Sequence, residues 1–440
     1  MKLRKKLNAL LVFAFLFSII SLVSCAQKEQ LFVKRDGKNF VIGDKPYYYI
    51  GANYWQGAIL ASKGEGGNRA RLLKELDMMQ KMGINNLRIL AGAEGPNGEP
   101  TRVTPALQLS PGKYNDELLD GLDFLLSEMK KRNQYAILFI NNAWEWSGGY
   151  AQYVSWSTGR PIPYPSVPPH TWGEFMHFSG EFINCSDCQK LYQNFVKFII
   201  SRTNKYTGEK YVNDPTIMTW EIANEPRAFS TANIPAFEKF IKESAAFIKS
   251  IDPNHLVTTG TEGQHGCEES LPLFERIHSD PNIDYLTMHI WPKNWGWLNK
   301  GDIPAAMDMV ILNTDAYMND HIAIARKLNK PLVLEEFGLP RDKQGFSPAE
   351  SVISRDKFYE NAFNQNLQHS KDRDVLAGCN FWSFSGLGRA TPGHVRWVRG
   401  DELLGDPPQE EQGLNSVFDT DSTLDLVKKY NKFLLTIDKN

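Results

Sequence analysis

Ile217-Met218-Thr219-Trp220-Glu221-Ile222-Ala223-Asn224-Glu225-Pro226-Arg227 opens as a run of strand-forming residues and closes on an Asn-Glu-Pro turn signal. Such a run reads as a strand whose C-terminal end delivers a glutamate into a loop. The pattern returns at Pro331-Leu332-Val333-Leu334-Glu335-Glu336-Phe337-Gly338, another apolar run that ends on a carboxylate. Working outward, candidate strands lie at 47–53, 86–90, 135–141, 217–224, 257–261, 285–289, 331–336 and 378–382. Between them, residues 69–82, 116–132, 189–206, 234–251 and 355–369 carry apolar positions at helical spacing. Short β-type runs alternating with helices predict parallel strands joined by crossovers.

The expected fold is therefore of the α/β class, a (β/α)8 TIM barrel with long active-site loops. Eight such units need about 250 residues. The surplus goes to loops, the longest over 142–184 and rich in Trp, Tyr, Pro and Gly. Residues 32–41 read as a hairpin around Asp36-Gly37 that plugs the barrel floor. A doubly wound open sheet is the structural alternative, but no Gly-x-Gly-x-x-Gly follows the first strand.

The composition, 42% hydrophobic and 23% charged over 440 residues, supplies material for a large core. Lys2, Arg4, Lys5 and Lys6 precede an apolar stretch over 7–23, followed by Ser24 and Cys25. This reads as a lipoprotein export signal over 1–24, a lipid-anchored segment over 25–30 acylated at Cys25, and one catalytic domain over 31–440. A transmembrane anchor is the alternative at this length. The expected location is the bacterial cell envelope, at the outer membrane or cell surface, with membrane contact only through the anchor. Loss of the signal removes four of 49 basic residues, leaving 45 against 51 acidic ones, a net charge of −6. That balance gives no reason to expect a nucleic-acid partner. Cys185, Cys188, Cys267 and Cys379 allow disulfides whose pairing the sequence leaves open, and Cys185-x-x-Cys188 lacks the second pair of a zinc site.

Two carboxyl groups at strand ends facing one barrel mouth are the minimum equipment for hydrolysing a glycosidic bond. The order Arg88, Asn224-Glu225-Pro226, His289, Glu336-Phe337-Gly338 and Trp382 on strands two, four, six, seven and eight resembles glycoside hydrolase family 5. More narrowly it is similar to the endo-β-1,4-mannanases of that family. Supporting runs are Asn142-Ala143-Trp144-Glu145-Trp146-Ser147-Gly148-Gly149, Gly405-Asp406-Pro407-Pro408 and Gln412-Gly413-Leu414-Asn415-Ser416-Val417-Phe418, and the resemblance extends from about Phe32 to the C-terminus.

The resemblance implies retaining, endo-acting hydrolysis of mannan, glucomannan or galactomannan by a monomer, with neither metal nor cofactor. It assigns Glu225 as acid/base and Glu336 as the nucleophile that forms a glycosyl-enzyme intermediate. Arg88 is expected as a positive charge at the mouth and Asn224 as a donor to the sugar 2-hydroxyl. His289 is expected to bond a sugar hydroxyl or the acid/base. Trp55, Trp144, Trp146, Trp291, Trp295 and Trp382 are candidate sugar platforms. Glu262 is a further candidate contact, and Glu221 is read as a supporting carboxylate. Glu335 is placed on the opposite strand face from Glu336 by alternation. Two departures stand out: Trp291 replaces the family's frequent tyrosine near the nucleophile, and Leu90 an aromatic. The alternative functions are a β-1,4-glucanase (cellulase) on the same barrel and a non-catalytic surface glycan-binding protein.

Overall fold

In the computed structural model, which describes residues 30–298 and 302–437, eight parallel strands surround one axis. They are Tyr49–Asn53, Asn86–Leu90, Tyr135–Phe139, Ile217–Glu221, Leu256–Thr258, Leu286–Ile290, Leu332–Phe337 and Leu376–Phe381, here barrel strands one to eight. Their hydrogen-bonded order is five, four, three, two, one, eight, seven, six. At the seam between strands five and six, Asp284 N–H donates to the Val257 carbonyl (2.8 Å) and the Thr258 hydroxyl to the Tyr285 carbonyl (2.9 Å). The eight expected strands are thus the eight observed ones, Asn86–Leu90 with the same bounds and the others with bounds differing by up to three residues. Residues from Phe32 onward form one compact unit, whereas the stretch read as an export signal and Cys25 lie outside the described residues.

The floor is closed as expected. Strands Val33–Asp36 and Asn39–Ile42 pair around Asp36-Gly37, and Val33 and Phe40 pack against the inward side chains of Tyr47, Tyr49, Tyr135, Ile137, Met218, Tyr285 and Val333. All five expected helices are present, as Arg69–Lys81, Asp116–Lys131, Ser186–Ile200, Ile234–Ile251 and Ile353–Lys371. Their apolar stripes cover the outer faces of the strands in the main core.

The segment over 142–184 is more ordered than its composition suggests. It contains helices Gly149–Thr158 and Trp172–Gly180, the second begun by a capping box of Thr171 and Glu174. Tyr150 and Tyr153 are buried on the first of these, which is enclosed by other elements and so lacks the one-sided pattern that reveals a surface helix. Cys185 and Cys188 form a disulfide at the start of the next helix, while Cys267 and Cys379 are buried free thiols.

Candidate active site

Strand four ends at Glu221, and the chain continues upward so that Asn224 pairs with Asn142 beyond strand three and Glu225 N–H reaches the Gly260 carbonyl at 2.9 Å. Glu225 sits in the left-handed region, φ 48°, a conformation that costs a non-glycine residue about 1 kcal/mol or more. Its neighbour Gly260 is required, since a Cβ there would lie 2.1 Å from the Ala223 carbonyl. The turn aims the Glu225 carboxyl into a cleft of about 700 Å³.

Strand seven delivers Glu336 to the same cleft by a different device. Strand pairing advances from Met288↔Leu334 to His289↔Glu336, so Glu335 is an extra residue in a β-bulge. Alternation fails there. Val333 and Glu335 face the barrel interior, Glu336 does so too, and Phe337 turns outward against Phe358, Tyr359 and Phe363. The expectation that Glu335 and Glu336 lie on opposite faces is therefore corrected. Both carboxyl groups approach Arg88.

Arg88 is fully buried beneath the cleft floor, not at its mouth. Its Nε and Nη2 donate to the two oxygens of Glu221 (2.8 and 2.6 Å), Nη2 also to Asn224 Oδ1 (2.8 Å), and Nη1 to Asn53 Oδ1 (3.1 Å) and Glu336. The role of Arg88 is thus to hold residues that touch the cleft. Asn224 lines the cleft, but its amide N–H already donates to Asn142 Oδ1 at 3.1 Å.

One oxygen each of Glu225 and Glu336 and a ring nitrogen of His289 lie within 4.8 Å of one another. On distance alone this trio could hold a cation. The donors aimed at these carboxyl groups make it a hydrogen-bonded acid pair: Trp144 Nε1–H on Glu225 Oε2 (2.5 Å), Arg88 on Glu336 Oε1, and Trp291 Nε1–H on Glu336 Oε2 (3.3 Å). The indole of Trp291 thus supplies the hydrogen bond that the absent tyrosine would have given. Gly338 makes room for it, since a Cβ there would stand 2.7 Å from the Trp291 ring. His289 Nδ1 lies 2.8 Å from Glu225 Oε1.

Burial raises the pKa of both carboxyl groups. Against this, Arg227 and the Trp144 N–H lower Glu225, while Arg88 lowers Glu336 and the Glu225 charge raises it. Two acids this close do not both ionise readily. Of the pair only Glu336 is bonded to a guanidinium, which favours the charge there, while burial and the neighbouring Glu225 and Glu221 charges hold its carboxyl well above the ordinary range.

Of the predicted tryptophans, Trp144, Trp146, Trp291, Trp295 and Trp382 line the cleft. Trp55 does not, which corrects its reading as a sugar platform. Only 1% exposed, it donates from Nε1 to the Gly405 carbonyl (2.7 Å) and packs edge-on against Trp146 (5.7 Å between centroids). It ties the loops after strands three and eight together over the barrel rim. Glu262 lines the cleft and is ion-paired with Arg227 (2.7 Å).

Three cleft carboxylates, Glu145, Glu269 and Glu410, escaped the sequence reading. Glu145 and Glu410 each have one oxygen shut from solvent and without a partner, as is the indole N–H of Trp382. Burial pushes Glu145 up to about 7 and Glu410 up to about 8. Glu145 lay inside the quoted Trp144-Glu145-Trp146 run, but nothing local distinguishes it from a solvated loop residue.

Residues 30–439 match the family model described as GH family 5 beta-mannosidase-like. A crystallised glycoside hydrolase family 5 mannosidase from Rhizomucor miehei, a mutant in complex with mannosyl-fructose, is 37% identical with a TM-score of 0.85, covering 93% of this chain and 98% of its own. Mannan endo-1,4-beta-mannosidase 7 of Arabidopsis thaliana is 30% identical over 86% of this chain and 84% of its own. Mannan endo-1,4-beta-mannosidase 1 of Oryza sativa subsp. japonica is 31% identical over 80% and 78%. With strand-end glutamates on strands four and seven, Arg88 beneath them and a family match over nearly its whole length, the chain belongs to the β-mannosidase-like branch of glycoside hydrolase family 5.

Proposed function

We propose that the protein is a retaining β-1,4-mannan hydrolase that cuts within mannan, glucomannan or galactomannan, with Glu336 as nucleophile and Glu225 as acid/base. The observation that carries this is the pair of carboxyl groups within 4.8 Å, one on a guanidinium and the other on an indole N–H and an imidazole. A separation of about 5 Å suits direct attack by one carboxylate, whereas inversion needs room for a water between them.

Glu336 attacks the anomeric carbon while Glu225 gives its proton to the departing glycosidic oxygen. Water then attacks the glycosyl-enzyme, with Glu225 taking its proton and Glu336 leaving. Activity requires Glu336 ionised and Glu225 protonated, so the pH profile is a bell. Its acid limb reports Glu336 and its alkaline limb Glu225, and burial moves both upward from ordinary carboxyl values. Trp382, Trp144 and Trp295 offer apolar faces to pyranose rings, and the carboxyl groups of Glu145 and Glu410 line the same cleft.

Product analysis by mass spectrometry in ¹⁸O-labelled water, with mannohexaose and cellohexaose, tests the reading. Cleavage of mannohexaose at internal bonds supports it. Preference for cellohexaose makes the protein a glucanase, and binding without cleavage makes it a glycan-binding protein. Glu225→Ala is expected to lower kcat/KM on mannohexaose by about 10²- to 10⁴-fold, yet to leave the glycosylation step with a dinitrophenyl mannoside nearly intact, because that leaving group needs no proton. Equal loss on both substrates would remove Glu225 from the acid role. Glu410→Ala is expected to raise KM for mannohexaose by about tenfold, the loss of one hydrogen bond to substrate; titration calorimetry showing unchanged affinity would exclude Glu410 from the sugar contacts.

We also propose export and anchoring through acylated Cys25, on the strength of the basic start, apolar stretch and Ser24-Cys25 junction. Labelling of expressing cells with an alkyne fatty acid is expected to mark the wild type and not Cys25→Ser; equal labelling would refute it.

A further inference from the structure

The bulge that brings Glu336 to the cleft leaves Glu335 directly behind it, inside the barrel. The Glu335 side chain is completely buried, and neither of its oxygens has a hydrogen-bond partner. One of them lies 3.8 Å from His289 Nε2, which is itself buried and unpartnered. The other ring nitrogen, Nδ1, lies 2.8 Å from Glu225 Oε1. His289 therefore stands between two carboxyl groups, one in the cleft and one in the barrel core. A displacement of the Glu335 carboxyl by less than about 1 Å brings the pair at Nε2 to hydrogen-bond distance.

Leaving a buried polar atom unpartnered is costly, which favours the arrangement that satisfies both. Resting on the assignment of Glu225 as acid/base, we propose that Glu335 is a positioning residue: it accepts the Nε2–H of His289 and thereby fixes the tautomer whose bare Nδ1 accepts from the Glu225 carboxyl. An orienting carboxylate that sets which imidazole nitrogen carries the proton is a recurrent device.

The charged and titratable groups around this pair are all inside or just above the barrel. Arg88 on strand two lies 3.8 Å from Glu335 and works against a charged imidazole, as burial does, so His289 stays neutral. Glu221 on strand four neutralises Arg88 from the other side. Tyr49 and Tyr285 approach Glu335 from strands one and six, and burial keeps both phenols protonated. Arg227, Glu262 and Glu410 act on Glu225 or His289 from the loops above. Glu336 Oε2 is the competitor: 3.4 Å from Nδ1, it favours a proton there. It is the more distant of the two oxygens at Nδ1 and already accepts from Trp291.

Two readouts test the proposal. Nitrogen-15 NMR of the ring, with the His289 signals assigned by their loss in His289→Asn, is expected to show Nε2–H in the wild type. Glu335→Leu removes the acceptor, so the proton moves to Nδ1 and is donated to Glu225. That bond favours the ionised acid, and the alkaline limb of kcat/KM moves to lower pH by about one unit. Glu335→Gln retains an acceptor oxygen and is expected to restore the wild-type tautomer and limb. A wild-type Nδ1–H tautomer overturns the proposal, and this holds even if Glu335→Leu does not fold. So does a Glu335→Leu enzyme with reduced kcat but an unmoved limb, or equal behaviour of the Leu and Gln variants. Failure of the hydrolase reading is separate: it is seen as no cleavage of either hexaose by the wild type.

Discussion

Glu336→Ala is expected to lower kcat on mannohexaose by at least about 10⁴-fold, the scale on which removal of a covalent nucleophile acts, with KM close to that of the wild type. The residue lies in a cleft lined by tryptophans proposed to bind sugar independently of it, so ground-state affinity is expected to survive while the glycosyl-enzyme cannot form. Truncation also leaves a space on the face from which Glu336 attacks. Added azide is expected to enter it, beside Arg88, and to convert a dinitrophenyl β-mannoside to the α-mannosyl azide. The corresponding Glu225→Ala variant is expected to give the β-azide, because there the azide attacks the glycosyl-enzyme from the opposite face. Proton NMR of the products distinguishes the two. Retention of a tenth of wild-type turnover by Glu336→Ala, or the same anomer from both variants, would contradict the assignment.

The second large effect is expected at Arg88, a residue that does not itself line the cleft. Arg88→Met removes the buried cation that compensates Glu221 and Glu336 and approaches Glu335. Breaking a buried ion pair by deleting one partner costs about 3–5 kcal/mol, because the remaining charge stays in a poor solvent. Scanning calorimetry is expected to show a correspondingly lowered Tm. The protein can relieve the cost by protonating a carboxyl group, and the sign of the kinetic effect follows. Arg88 lowers the pKa of Glu336; without it the nucleophile holds its proton to higher pH, so the acid limb of kcat/KM moves upward and activity at neutral pH falls. Lysine at this position restores charge but not the two-pronged contact with Glu221, and is expected to be intermediate. A Tm unchanged within a degree, together with an unmoved acid limb, would show that Arg88 is not what keeps Glu336 ionised.

The loops separate local from distant information. Helix Gly149–Thr158 carries no one-sided pattern because it is enclosed, so its composition resembles that of a loop. Trp55 and Trp146 look equivalent as tryptophans near strand ends, yet only Trp146 reaches the cleft. What separates them is the bond from Trp55 to Gly405, a residue on a loop at the other end of the chain. Glu145 and Glu410 are ordinary loop glutamates until the two loops meet over one cavity.

By itself the sequence determined the eight strands, five of the crossover helices though not Leu271–His278 or Ile303–Leu328, the floor hairpin and the two glutamates near the ends of strands four and seven. These are local matters: residue periodicity, turn chemistry and a family order of residues along the chain. The tertiary structure alone decided how the glutamates differ. Arg88 reaches Glu336 across 248 residues of chain, Trp144 reaches Glu225 across 81, and the bulge that turns Glu335 and Glu336 to the same side exists only in the pairing of strands six and seven. Protonation and attack depend on which partners stand within 3 to 4 Å in the buried barrel interior, and only the closed fold brings those partners together.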